Sequence, residues 1–119
     1  MQDFKIGVVV MSGIEDGKTL KYYSGKGHGL AENSRWIISI GRQDTNDICL
    51  TNDNYISRVH AKLHQINGQW WLEDCSRNGT FVTPESDFFR DSRVDKLDPL
   101  ELGQLFRVGR TWLRLQALE

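Results

Sequence analysis

The run Ser57-Arg58-Val59-His60-Ala61-Lys62-Leu63-His64-Gln65-Ile66-Asn67-Gly68-Gln69-Trp70-Trp71-Leu72-Glu73-Asp74 decides the fold class. Val59, Ala61 and Leu63 alternate with His60, Lys62 and His64. A period of two is that of a strand with one face on a core. Asn67-Gly68 then supplies the residue pair that best tolerates positive φ at both centres of a tight hairpin turn. The chain returns with Trp70 and Leu72 sharing a face. An antiparallel pair of strands follows from this stretch alone.

Outward from it the same alternation recurs. Trp36, Ile38 and Ile40 predict the preceding strand, and Ile48 and Leu50 a short one between. Toward the N-terminus, Ile6–Met11 and Thr19–Ser24 flank the turn signal Asp16-Gly17 and predict a hairpin. Toward the C-terminus, Asn78-Gly79 leads into Thr80–Val82, and two closing strands are expected over Leu100–Val108 and Thr111–Ala117, joined by Gly109-Arg110. Gly25-Lys26-Gly27-His28-Gly29 lacks the Lys-Ser/Thr ending of a phosphate-cradling P-loop and reads as a mobile connection. Thr83-Pro84 resembles a helix cap with proline in the first helical position and predicts a single turn through Phe88. Many short strands and almost no helix predict an all-β fold: a two-sheet β-sandwich of mostly antiparallel strands.

A chain of 119 residues suits one domain, so residues 1–119 are expected to form a single unit, with excision from a larger parent protein left open. A net charge of -1 gives no bulk attraction to nucleic acid or to a membrane surface, so an anion would have to be held by a local cluster. Cys49 and Cys75 have no metal-site spacing and read as free thiols in a reducing cytoplasm. No segment reads as a signal peptide or a bilayer span, and the expected location is cytoplasmic. Three scattered histidines do not make a zinc site, so no metal is expected; His28 and His64 read as ordinary surface residues.

Three clusters sit at strand edges: Gly41-Arg42, Ser57-Arg58-Val59-His60-Ala61, and Ser76-Arg77-Asn78-Gly79-Thr80. Each mixes turn formers with hydrogen-bond donors suited to a dianion. With Asn46-Asp47-Ile48, Glu73-Asp74, Leu102-Gly103 and Gly109, they resemble, in order and spacing, the signature of the forkhead-associated (FHA) domain. The resemblance implies a β-sandwich with recognition loops at one end. It implies binding of phosphothreonine peptides, the products of a Ser/Thr kinase, with no catalysis and no cofactor. The expected partner is therefore a phosphothreonine-containing protein, and neither nucleic acid nor membrane.

The resemblance also assigns roles. Arg42 is the leading phosphate ligand, since a guanidinium grips a phosphate with parallel donors; the plain alternative is a surface pair with Asp44 or Asp47. Ser57 donates a hydroxyl to the same anion, the alternative being a cap on its own backbone. Arg58 adds charge there or points to solvent. Asn78 reads the peptide backbone or serves its turn. Arg77 departs from the threonine or serine several members carry, and either contacts the phosphate at longer range or favours acidic peptides. Tyr55 packs on a peptide side chain or anchors its loop. Gly41, His60, Gly79 and Thr80 are structural, His60 by holding the serine loop. The tryptophans Trp36, Trp70, Trp71 and Trp112 are core and sheet-face residues.

Two other readings compete. One is a phosphorylation-independent interaction module that uses a sheet face. The other is a hydrolase built on Ser57 and His60, for which no orienting third group is apparent. Nucleic-acid binding through Arg107, Arg110 and Arg114 is disfavoured by the overall charge.

Overall fold

The computed structural model describes residues 3–13, 15–83 and 92–118. In chain order the strands are β1 (Lys5–Val10), β2 (Thr19–Tyr23), β3 (Leu30–Glu32), β4 (Arg35–Gly41), β5 (Ile48–Cys49), β6 (Ala61–Ile66), β7 (Gln69–Asp74), β8 (Thr80–Val82), β9 (Ser92–Arg93), β10 (Leu97–Leu100), β11 (Leu105–Val108) and β12 (Thr111–Gln116). They form two sheets. One runs β2-β1-β12-β11-β8-β9; the other runs β10-β7-β6-β4-β3, with β5 beside β4. The pairings are antiparallel except β4 with β5. The expected all-β sandwich is therefore the observed one.

Its centre is the predicted hairpin. Asn67 (φ 52) and Gly68 (φ 80) both take left-handed backbone, and Ile66 pairs with Gln69. That register sends Leu63 and Leu72 inward together, each fully buried. Trp36 and Ile38 on β4 face Phe106, Leu113 and Val8 from the other sheet in one continuous core. Burying side chains of this size stabilises by about 1.5–3 kcal/mol each. Trp36 is fixed further: its indole N–H donates to the His28 carbonyl at 2.8 Å, and its ring stacks on Phe4.

Several expectations need correction. Leu100–Val108 is not one strand: Leu97–Leu100 belongs to one sheet and Leu105–Val108 to the other, with Gly103 (φ 84) between them. Pro99 lies within β10, which is tolerable because that strand is an edge and pairs only with β7. Val59 does not share the buried face of Ala61 and Leu63; it is 38% exposed while His60 is fully buried, because the strand begins only at Ala61. His64 is buried beside Glu73, to which its Nε2 bonds at 2.8 Å, so it is no surface residue. His28 is half-buried, and its Nδ1 accepts the Tyr23 N–H at 2.9 Å. The Gly25–Gly29 loop around it is tied down, with Gly29 N–H on Asp47 at 3.0 Å. The turn expected over Pro84–Phe88 lies outside the described residues.

Candidate functional site

Gly41, at the end of β4, sets the first wall. A Cβ there would lie 2.2 Å from the Arg58 carbonyl oxygen and 2.6 Å from Asn46 Nδ2, so only glycine lets the two chains meet. The approach is sealed by the Arg42 N–H on the Ser57 carbonyl (3.0 Å) and the Gln43 N–H on the Arg58 carbonyl (3.2 Å). Asn46, buried, donates from Nδ2 to both the Gln43 carbonyl (2.8 Å) and the Arg58 carbonyl (2.6 Å).

His60 joins this wall to the next loop. Its Nδ1 accepts the Ser57 N–H at 3.0 Å, and its Nε2 lies 3.0 Å from the Gly79 carbonyl. A carbonyl can only accept, so the proton is on Nε2 and the ring is neutral. Burial pushes its pKa below the ordinary value of 6.5, against the smaller opposing pull of the Gly79 bond and nearby carboxylates. The main chain of His60 adds two more links, to the Ile40 carbonyl and from the Cys75 N–H, both at 2.8 Å.

Asp74 builds the third loop. One oxygen accepts the Ser76 N–H (2.9 Å), the Ser76 hydroxyl (2.5 Å) and the Thr80 hydroxyl (2.9 Å). Burial alone would raise this carboxyl, but the donated hydrogen bonds outweigh it and hold the pKa below 3.8. The Ser76 hydroxyl in turn accepts the Gly79 N–H at 2.7 Å. Gly79 takes φ 102, a conformation a side chain would strain. The Arg77 N–H then reaches across to the Ser57 hydroxyl oxygen at 3.2 Å.

These links bring the expected residues together. Arg42, Tyr55, Ser57, Arg58, Arg77 and Asn78 line one open groove at the end of the sandwich. Gly41, His60, Gly79 and Thr80 are buried behind it. Arg42, exposed, donates Nε to the Ile56 carbonyl at 3.1 Å, and its two terminal nitrogens have no hydrogen-bond partner among the described residues. Among the described residues, neither Arg42 nor Arg58 nor Arg77 has a carboxylate within ion-pair distance. Asp47, one alternative partner for Arg42, is spent on Gly29 and on Ser39. Tyr55 is exposed, with the Arg110 guanidinium 4.0 Å over its ring and Arg110 Nη2 2.8 Å from its hydroxyl.

The hydrolase arrangement does not form. His60 meets the backbone N–H of Ser57, and both ring nitrogens are committed to main-chain groups, so the ring has no free position for the Ser57 hydroxyl. No group of three or more metal-ligating side chains occurs among the described residues. Cys49 and Cys75 are exposed free thiols, and burial together with the Glu73 charge pushes the Cys75 thiol up. No helix is long and apolar enough to cross a membrane among the described residues.

The sequence reading gave no role to Asn46, Asp74, Asp53 or the Tyr55 contact of Arg110. Asp53 accepts the Tyr55, Arg110 and Thr111 donors and so fixes the Tyr55 loop to the β11–β12 turn. The turn former Asp53 and the Glu73-Asp74 pair were visible as residues; their partners, up to 58 positions away, were not.

Comparison with known proteins agrees with this geometry. The family model of the FHA domain matches residues 38–109, well over half of the chain. The FHA domain-containing protein FhaB of Mycolicibacterium smegmatis is 31% identical over 80 residues, 66% of this chain and 46% of that protein. FhaB of Mycobacterium tuberculosis H37Rv matches to the same extent, so the chain spans about half the length of these curated relatives. Among solved structures, the FHA domain of CT664 from Chlamydia trachomatis superposes with a TM-score of 0.70 at 22% identity, covering 98% of this chain and 100% of that one. The N-terminal FHA domain of S. cerevisiae Rad53p, solved with a phosphothreonine peptide, gives 0.70 at 21% identity over 94% of this chain and 92% of that one. At such identity these structures speak for the fold. Because the matched segment runs from within β4 to the turn before β12 and contains every loop of the groove, this chain belongs to the FHA domain family.

Proposed function

We propose that this chain is a phosphopeptide-binding module that recognises phosphothreonine in a partner protein and so makes that interaction depend on a Ser/Thr kinase. The observation that carries the reading is that Arg42 and Ser57 line one groove, the Arg42 terminal nitrogens without a partner and no carboxylate neutralising the guanidinium among the described residues. The Ser57 oxygen accepts the Arg77 N–H, which leaves the hydroxyl proton for an anion. A phosphothreonine brings about −1.5 to −2 charge and three acceptor oxygens. Hydrogen bonds to such a group contribute about 1.5–3 kcal/mol each. In this reading Arg42 and Ser57 hold the phosphate, Arg58 adds charge, and Tyr55, Arg77 and Asn78 meet the peptide. The Asn78 carboxamide matches one peptide unit, donor to acceptor.

The role is binding rather than catalysis, in a cytoplasmic setting, with no cofactor. Isothermal titration with one peptide sequence carrying phosphothreonine, phosphoserine or threonine tests it. The expected order is phosphothreonine, then phosphoserine, then threonine. Burying the extra methyl contributes about 0.8 kcal/mol, roughly fourfold. Equal affinity for the phosphorylated and unphosphorylated threonine peptides would refute the proposal.

A further inference from the structure

Among the described residues, three arginines and no aspartate or glutamate line the groove, although the chain as a whole carries 16 acidic residues and a net charge of -1. Resting on the reading above, we propose that Arg77 reads a second anionic group of the ligand: an acidic side chain, or a second phosphorylated residue, beside the phosphothreonine.

Arg42, with the Ser57 hydroxyl, already offers one phosphate the two terminal guanidinium nitrogens and a hydroxyl donor. Two guanidinium groups remain for a dianion of at most about two charges. Their positions differ. Arg58 directly follows Ser57, and its carbonyl is clamped by Gln43 and Asn46, so its main chain belongs to the Arg42 wall. Arg77 comes from the third loop: it directly precedes Asn78, the residue assigned to the peptide backbone, and its N–H meets the Ser57 hydroxyl oxygen at 3.2 Å.

The base under Arg77 is rigid. Its N–H is bound to the Ser57 hydroxyl, Ser76 before it is held twice by Asp74, and Gly79 after it is held by Ser76. The side chain itself is exposed and makes no ion pair among the described residues. The nearby carboxylates do not neutralise it. Asp74 points its bonded oxygen at Ser76 and Thr80, and Asp53 is committed to Tyr55, Arg110 and Thr111. A fixed stem with a free planar fork suits a carboxylate or a phosphate equally well.

The test is fluorescence anisotropy with phosphothreonine peptides of one sequence whose flanks are alanine, with a single aspartate walked along them and the unphosphorylated threonine peptide as a control arm. At one or two positions aspartate should tighten binding roughly two- to fivefold at low salt, the range of an exposed charge pair. Arg77→Ala should abolish that gain, so that the aspartate-bearing and alanine-flanked peptides bind the variant equally well. Arg77→Glu should transfer the preference to lysine. A second phosphothreonine at the responsive position that outdoes aspartate assigns the subsite to a phosphate; one that does no better assigns it to a carboxylate. The proposal is overturned if no position responds to aspartate, or if Arg77→Ala weakens all phosphorylated peptides alike, which would make Arg77 a ligand of the first phosphate. If phosphorylation itself makes no difference to wild-type binding, the phosphopeptide reading falls as well, and the two failures are told apart by that arm.

Discussion

His60→Ala should cost both stability and binding, and the size of the loss follows from what the ring holds. Two main-chain groups lose their partners: the Ser57 N–H and the Gly79 carbonyl, each now 3.0 Å from a ring nitrogen. An unpaired buried polar group costs about 1–3 kcal/mol. Ser57 is only half-buried, so its N–H recovers part of this from water, whereas Gly79 is buried. A cavity replaces a fully buried ring. Together these give about 2–4 kcal/mol, a large share of the roughly 5–15 kcal/mol that stabilises a typical domain. Urea unfolding followed by tryptophan fluorescence would read the loss, since Trp36 and Trp70 are both in the core. Phosphopeptide affinity, measured at low temperature where the variant is folded, should fall at least tenfold because Ser57 is no longer positioned against Arg77. His60→Gln, which keeps a donor and an acceptor, should recover part of both. A stability loss under about 1 kcal/mol, or unchanged affinity in the alanine variant, would refute the idea that this ring holds the loops together.

Acidification should lower stability through two groups. His60 has its native pKa below 6.5, so its contribution is complete above that value and is lost as pH falls through the lowered native pKa; Asp74, held below 3.8, contributes fully above that value and loses its contribution as pH falls through its own native value. Thermal melts without peptide check this, since the phosphate of a ligand titrates near pH ~6 and would confound a binding assay. Gly41→Ala should destabilise by about 2–3 kcal/mol, because its methyl meets the Arg58 carbonyl, whereas Gly68→Ala, with open space around it, should cost only about 1 kcal/mol for its positive φ; chemical denaturation of the pair reads the difference. Arg42→Ala should leave the melting temperature nearly unchanged, because the side chain lies outside the core, yet remove most phosphopeptide binding; a large fall in melting temperature would contradict the role given to it.

The fold was legible where its determinants are local. Asn67-Gly68 announces its hairpin because two adjacent residues carry the whole turn. The β3–β4 turn was not announced, since Asn33 and Ser34 take positive φ without a glycine to mark it. Leu100–Val108 read as one strand because alternation cannot tell one sheet from another; the break lies at Gly103, where the chain crosses between them. The groove residues were legible through their motifs, and the structure brings Arg42, Ser57, Arg58, Arg77, Asn78 and Tyr55 to one surface. What builds that surface was hidden, because Asn46, Asp53 and Asp74 act by bonding side chain to distant loop. A pattern of residue types does not encode which carbonyl an asparagine will reach. His60 shows the limit from the other side: extending the strand pattern back to Val59 put the wrong residue inside.

The most direct measurement is a titration of the isotopically labelled chain with a phosphothreonine peptide and its unphosphorylated twin, followed through the backbone amides by two-dimensional NMR. The account predicts saturable shifts concentrated at Arg42, Ser57, Arg58, Arg77 and Asn78 with the phosphorylated peptide, and none with the other. Shifts centred instead on sheet-face residues such as Lys62 and Trp71, or equal for both peptides, would contradict it.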